Sequence, residues 1–304
     1  MAIGASPKNL SIQRMTSDHP RQKHMTGAGG QRVLVSHAGQ SFAQRLAALG
    51  RDVKRAIGMR ELWLFLGWRD VRRLYQRSVL GPLWLTLSMG VMVGGLGVLY
   101  SQIFGMDIST YLPFLATGLI LWGFIGSAIN NACTVFTSAA SSVRQIHLPL
   151  MVYVLQFAWA QLITFAHNLL IFVVVAVIFQ LNPGWNGLLF LPAMLLILMN
   201  VIFCAMILGP FSARFRDMPM IVQSITQVAF FMTPIIWSAT QLPERAVFVH
   251  FNPFYHFIEI ARDPLLGGTG TVENWVVVAI LTAVMGVVAT LFLARFRARI
   301  AYWA

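Results

Sequence analysis

The chain has 304 residues, 57% of them apolar and only 11% charged, where a soluble globular protein carries about 25% charged residues. Its formal charge of +12 is unevenly placed, with 14 of the 22 Lys and Arg in residues 1–77. This balance excludes a soluble enzyme, and it excludes a basic nucleic-acid-binding domain because so apolar a remainder cannot stay in water. Cys133 and Cys204 lie in apolar runs without motif spacing, so neither a zinc site nor a disulfide framework is expected.

Residues 1–57 read as a disordered basic cytoplasmic tail. Gly, Ser, Gln and Arg interleave there with few apolar residues, and no signal-peptide core is present. Residues 58–304 read as one transmembrane domain. Its first segment, 60–77 (RELWLFLGWRDVRRLYQR), predicts an amphipathic interface helix. Leu64, Trp68, Val71 and Tyr75 fall at helical spacing on one stripe, and Arg69, Arg72, Arg73 and Gln76 repeat that spacing on the opposite side. Such a helix lies in the headgroup layer, with guanidinium groups toward water and anionic lipid. It serves either as an anchor or as a platform for a partner.

A bilayer core of roughly 30 Å needs about 20 apolar helical residues. Six stretches meet this: about 80–104, 111–133, 149–179, 187–211, 220–240 and 273–294. Apart from Glu273 at an edge, none contains Asp, Glu, Lys or Arg. Period-2 alternation is absent, so the expected fold is all-α with six transmembrane helices rather than a barrel. With both termini cytoplasmic, 20 Lys and Arg lie inside and only Arg245 and Arg262 outside, as the positive-inside rule requires.

Between the second and third spans lies a short polar loop, 134–148, and between the fourth and fifth the turn 212–219. Arg214, Arg216 and Asp217 give that turn a charged knob, fit for a protein partner or simply for water. On the outer side, Asn252-Pro253 divides the loop 241–271 into two halves, Ala246–Phe251 and Phe254–Ala261. Each is too short to span, so two short re-entrant or outer helices are expected between the fifth and sixth spans.

An ion-coupled carrier usually places a charged group at mid-membrane; here only His167, next to Asn168, titrates at depth, and a structural histidine is the expected role. None of the three lysines follows a phosphate-cradling Gly-rich loop. No HExxH, CxxC or G-x-S-x-G occurs, so no metal or nucleophile site is visible. Any energy for transport must come from a second polypeptide on the cytoplasmic side.

Several blocks, in order, resemble the type-2 ABC exporter permeases. They are Glu61-Leu62, Arg69-Asp70, Tyr75–Ser78, Leu80–Trp84, Ala213–Met218, Phe230–Trp237, Asn252–His256 with Glu259, and Arg262–Gly267, and the likeness covers about residues 58–300. Within that family the chain looks most like the polysaccharide-exporting subgroup, in particular the O-antigen (lipopolysaccharide) permeases known as Wzm. Capsule and teichoic acid permeases are close cousins.

The resemblance implies a multi-pass protein of the bacterial inner membrane, paired with a second copy of itself and with two copies of a separate ABC ATPase subunit. ATP and magnesium then belong to that partner, and this chain binds no cofactor of its own. The implied ATPase-docking residues are Arg69, Arg72, Arg73 and Arg77 of the interface helix, Arg144, Gln145 and His147 of the 134–148 loop, and Arg214, Arg216 and Asp217. The implied exit helices carry Asn252, Pro253, Tyr255, His256, Glu259 and Arg262.

A polyprenyl-diphosphate-linked polysaccharide suits such a machine, because sugars slide over aromatic faces without strong directional bonds. Trp122, Phe124, Phe136, Phe157, Trp159, Phe165, Phe230 and Trp237 are candidates for that path, with Asn130, Asn131, Asn168 and Asn200 as hydrogen-bonding groups. Each such aromatic otherwise faces lipid or packs in the bundle. The competing readings are a permease of the same fold for a drug or small lipid, and an ATP-independent channel or scramblase.

Overall fold

In the computed structural model, residues 41–74, 76, 81, 83–140, 148–239 and 249–303 are described. Their regular structure is all helical: α1 (Phe42–Gly58), α2 (Arg60–Leu74), α3 (Leu83–Phe104), α4 (Ile108–Ala132), α5 (Val135–Ser138), α6 (Leu150–Ile178), α7 (Phe190–Arg214), α8 (Met218–Met232), α9 (Pro253–Leu265) and α10 (Val272–Trp303). A 3₁₀ turn, Gly184–Leu189, leads into α7.

Among the described residues, five helices are long and apolar enough to cross a membrane: Leu83–Phe104, Ile108–Ala132, Leu150–Ile178, Gly184–Arg214 and Val272–Ile300. They coincide with five of the six expected spans. The remaining stretch, 220–240, departs from expectation. Its helix α8 has 15 residues, about 22 Å at 1.5 Å each and short of a bilayer core of roughly 30 Å. Helix ends at Met232 because Pro234 disfavours the helical conformation at the residue before it, and Thr233 is extended with φ −98 and ψ 136. Residues 233–238 continue without helix, and Thr233, Pro234 and Ile235 are buried.

Helix α4 is the centre of the bundle, with 72% of its membrane window buried, whereas α3 has 11% and lies at the periphery. Small residues on α4 (Ala116, Gly118, Gly126, Ala128) let its neighbours approach closely. Two buried clusters fill the bundle. One, around Tyr111, Leu115, Ile235, Ile258 and Ile260, occupies one end. The other, around Ala132, Phe136, Met151, Met206 and Leu293, occupies the opposite end, where the Arg-rich segments α2, 214–216 and 295–299 also lie. These are called here the far end and the basic end.

Residues 42–57, which composition assigns to a disordered tail, are corrected by the structure: they form α1. Ser41 and Gln44 make a reciprocal capping box at its start, and Leu49, Asp52 and Ala56 are buried against the bundle. Residues 1–40 lie outside the described residues. In the expected outer loop, the half Phe254–Ala261 is found within α9, which begins where Asn252 caps it and Pro253 sets the first turn. Of the other half, 249–251 form a turn and 246–248 lie outside the described residues.

Candidate substrate path and docking surface

Helix α2 packs on the first three turns of α6. A Cβ on Gly67 would stand 2.7 Å from the carbonyl of Gln156 and 2.9 Å from Trp159, and the Gln156 amide donates to the Asp70 carboxylate. The indole of Trp63 donates to the carbonyl of Ala56 at 3.1 Å, tying α2 to α1. This inward face of Trp63, Gly67, Asp70 and Val71 differs from the expected stripe: Trp68 is 52% exposed, and Tyr75 lies outside the described residues. Trp68 and Phe65 instead point outward, where headgroups take them. The 29 residues of α6 reach about 43 Å, longer than a bilayer core of roughly 30 Å, so a membrane-crossing α6 tilts or projects beyond it.

Arg69, Arg72 and Arg73 are all exposed on α2. Arg214, Arg216 and Asp217 are exposed in the turn between α7 and α8, with the Arg214 guanidinium 5.4 Å from the Phe215 ring centre. These six groups therefore share the basic end and are free to meet a partner. Arg77, Arg144, Gln145 and His147 lie outside the described residues.

The aromatics proposed for the path divide. Trp122 on α4 lies 5.8 Å from Phe230 on α8 and 5.4 Å from Phe254 on α9, ring centre to ring centre. Two turns along the same α4–α8 contact, the Thr226 hydroxyl sits 3.4 Å from Asn130 Oδ1, and it donates to the Val222 carbonyl at 2.7 Å. Trp122, Phe230 and Asn130 thus share one surface. Phe124 and Phe165 lie against each other with ring centres 4.9 Å apart and planes tilted by 48°, and both are buried in the core. Phe157 packs between the two clusters, Phe136 fills the space beside Gly209, and Trp159 seats α2. Asn131 is exposed at the end of α4, and Trp237 donates its indole N–H to the Phe231 carbonyl at 3.4 Å.

Asn200 is buried and donates to Thr282 at 2.7 Å, a helix-to-helix tie. Asn168 is buried with Oδ1 unpartnered among the described residues. His167 Nδ1 donates to the Ile163 carbonyl at 2.8 Å, as a structural histidine does.

Two residues that the sequence reading did not single out carry the most information. Gln223 and Gln227 are exposed on α8, one turn apart, on the edge flanked by Phe230 and Phe231, whereas the other exposed edge holds Ile221, Ile225, Val228 and Met232. Neither glutamine amide has a hydrogen-bond partner among the described residues. A bare amide facing hydrocarbon is costly. The glutamines' four-residue spacing within an uncharged run was the available signal.

At the far end, the non-helical stretch after α8 is held by side chains. Asn252 Nδ2 donates to the Met232 carbonyl at 3.2 Å and to Thr233 Oγ1 at 2.8 Å. Arg262 Nη2 donates to the Pro234 carbonyl at 2.9 Å, and the Tyr111 hydroxyl to the Ile236 carbonyl at 2.7 Å. Non-helical backbone at membrane depth must find such partners. Arg262 is 2% exposed, pairs with Glu259 at 3.0 Å and lies 4.0 Å from the Phe114 ring centre. Burial pushes the Glu259 carboxyl above its usual range, with Arg262 opposing the rise. His256 is buried between the Asn274 amide at 2.6 Å and the His250 carbonyl at 2.8 Å. Tyr255 lies against both of these histidine rings. Most of the expected exit-helix side chains are thus structural ties of α9.

A family model described as ABC-2 type transporter matches residues 61–266. The chain is 24% identical over 205 residues to an O-antigen export system permease protein of Klebsiella pneumoniae, covering 66% of this chain and 78% of that protein. It is 22% identical over 206 residues to the protein of the same name from Myxococcus xanthus, covering 67% and 79%.

Proposed function

The chain belongs to the ABC-2 type transporter family, and from this premise we propose that it is the membrane permease of an ATP-driven exporter for a polyprenyl-diphosphate-linked polysaccharide, an O-antigen-type glycan. The names of its relatives support the substrate class. The observation that carries the reading to this chain is the α8 edge, where Gln223 and Gln227 stand bare beside Phe230 and Phe231.

In this reading the basic end is cytoplasmic, α8 together with 233–238 makes the sixth crossing, and two copies of the chain enclose the path. The polyprenyl tail stays in lipid. Arginines at the basic end attract the diphosphate. Sugar rings move along the aromatic surface of Trp122, Phe230 and Phe231, which gives contact without fixed direction. The amides of Gln223, Gln227 and Asn130 exchange hydrogen bonds with successive hydroxyls, each replacing one to water, so no single sugar is held tightly. ATP is hydrolysed in a separate subunit docked on Arg69, Arg72, Arg73, Arg214, Arg216 and Asp217 and on the 134–148 loop.

The test is reconstitution of the permease and its ATPase subunit in vesicles, with a polyprenyl-diphosphate-linked glycan supplied on the ATPase side. The glycan is expected to cross only with hydrolysable ATP. Equal crossing without nucleotide would favour a channel or scramblase and overturn the proposal.

A further inference from the structure

Helix α6 starts at Leu150 behind Pro149, which offers no side-chain cap to the first N–H groups. An uncapped helix start leaves orphan donors. The Leu150 N–H nevertheless has an acceptor: Oδ2 of Asp52, 98 residues earlier on α1, at 3.1 Å. The other oxygen of the same carboxylate accepts from Arg297 Nη2 on α10 at 3.2 Å. Asp52 is 7% exposed and is the only acidic residue in α1. One carboxylate therefore joins three helices that are remote in sequence, and its negative charge sits at the positive end of α6.

Resting on the docking reading above, we propose that Asp52 is a positioning residue for energy coupling. It fixes the start of α6, which follows the 134–148 loop in sequence, against α10, so that a push delivered to that loop moves the membrane helices instead of fraying the first turn of α6. The site is built from α1, which supplies the acceptor; α6, which supplies the N–H; and α10, which supplies the balancing guanidinium. On this proposal α1 is a strap across the basic end and not an appendage.

Two substitutions separate the roles of the carboxylate. Asp52→Asn keeps a carbonyl oxygen for the Leu150 N–H, while Asp52→Ala removes it. Loss of a helix cap corresponds to about a five- to thirtyfold shift in a local opening equilibrium. Hydrogen exchange across residues 150–154, in the purified permease with its ATPase subunit, is expected to speed up by that factor in Asp52→Ala and to stay near wild type in Asp52→Asn. In the same complexes, stimulation of ATP hydrolysis by lipid-linked glycan is expected to be lost in Asp52→Ala and kept in Asp52→Asn, with the ATPase subunit still bound in both. Unchanged exchange in Asp52→Ala overturns the proposal, and so does faster exchange with stimulation intact. A wild-type permease that binds no ATPase subunit overturns the docking reading itself, and the coupling role falls with it.

Discussion

Arg262 donates to the backbone carbonyl of Pro234 at 2.9 Å, joining α9 to the non-helical stretch that follows α8. The contact exists because Gly118 on α4 has no side chain. A Cβ there would collide with Arg262 Nη2 and stand 3.0 Å from the carbonyl of Ile235. Gly118, Arg262 and Pro234 thus form one joint, in which the chain leaves the helix at Met232 and a buried guanidinium satisfies a carbonyl of the non-helical stretch beyond it.

Gly118→Ala is expected to lower stability by about 1–3 kcal/mol, the usual range for overpacking, because Arg262 and the Ile235 carbonyl are both held by the joint. Gly123→Ala on the same helix supplies the comparison. Its added methyl meets only the flexible end of Met89 at 3.2 Å, and it should cost less than about 0.5 kcal/mol. Thermal unfolding of the two purified variants in one detergent checks the difference.

Arg262→Gln leaves Glu259 largely buried without its cation and is expected to cost about 3 kcal/mol or more. The pH dependence has a definite sign. A carboxyl raised by burial binds its proton more readily in the folded state. Stability from that proton is complete below the ordinary glutamate range and is lost as pH rises through the folded value. With the opposing guanidinium gone, the variant should regain more stability than wild type as pH falls toward the ordinary glutamate range. Melting temperatures over that fall in pH test this.

Gln223→Leu combined with Gln227→Leu is expected to leave folding and ATPase binding intact, since both side chains are exposed and unpartnered among the described residues. Two lost hydrogen-bonding groups, at about 1 kcal/mol each, should slow ATP-dependent glycan movement by roughly tenfold or more. Vesicle transport assays compare the rates. If α8 instead faced lipid, the double variant would transport as well as wild type or better.

Arg69→Glu with Arg73→Glu reverses two exposed charges on α2 without touching the face that packs on α6. Copurification of the ATPase subunit should fall, with membrane insertion unchanged. Gly67→Leu should also weaken binding, by a different route: the new side chain meets the Gln156 carbonyl and Trp159 and lifts α2 off α6. High salt should weaken the wild-type complex in the manner of the charge reversal.

Five of the membrane helices were legible because an apolar run of bilayer length has few other uses. Helix α1 was not, since its window is polar and its order comes from Leu49, Asp52 and Ala56 packing on residues some 100 to 250 positions away. The end of α8 could have been read from Pro234, but an uncharged, largely apolar run to residue 240 concealed it. Aromatic content marked Trp122, Phe124, Phe165 and Phe230 alike. Only the helix packing separates Trp122 and Phe230, which meet across α4 and α8, from Phe124 and Phe165, which fill the core.

The proposed export requires this chain to work through a separate ATPase. Affinity purification in mild detergent, followed by native mass measurement of the intact assembly, tests that directly. The predicted result is an assembly of two permease chains with two P-loop ATPase chains. A permease that emerges alone, under conditions where its own two-chain pairing survives, would contradict it.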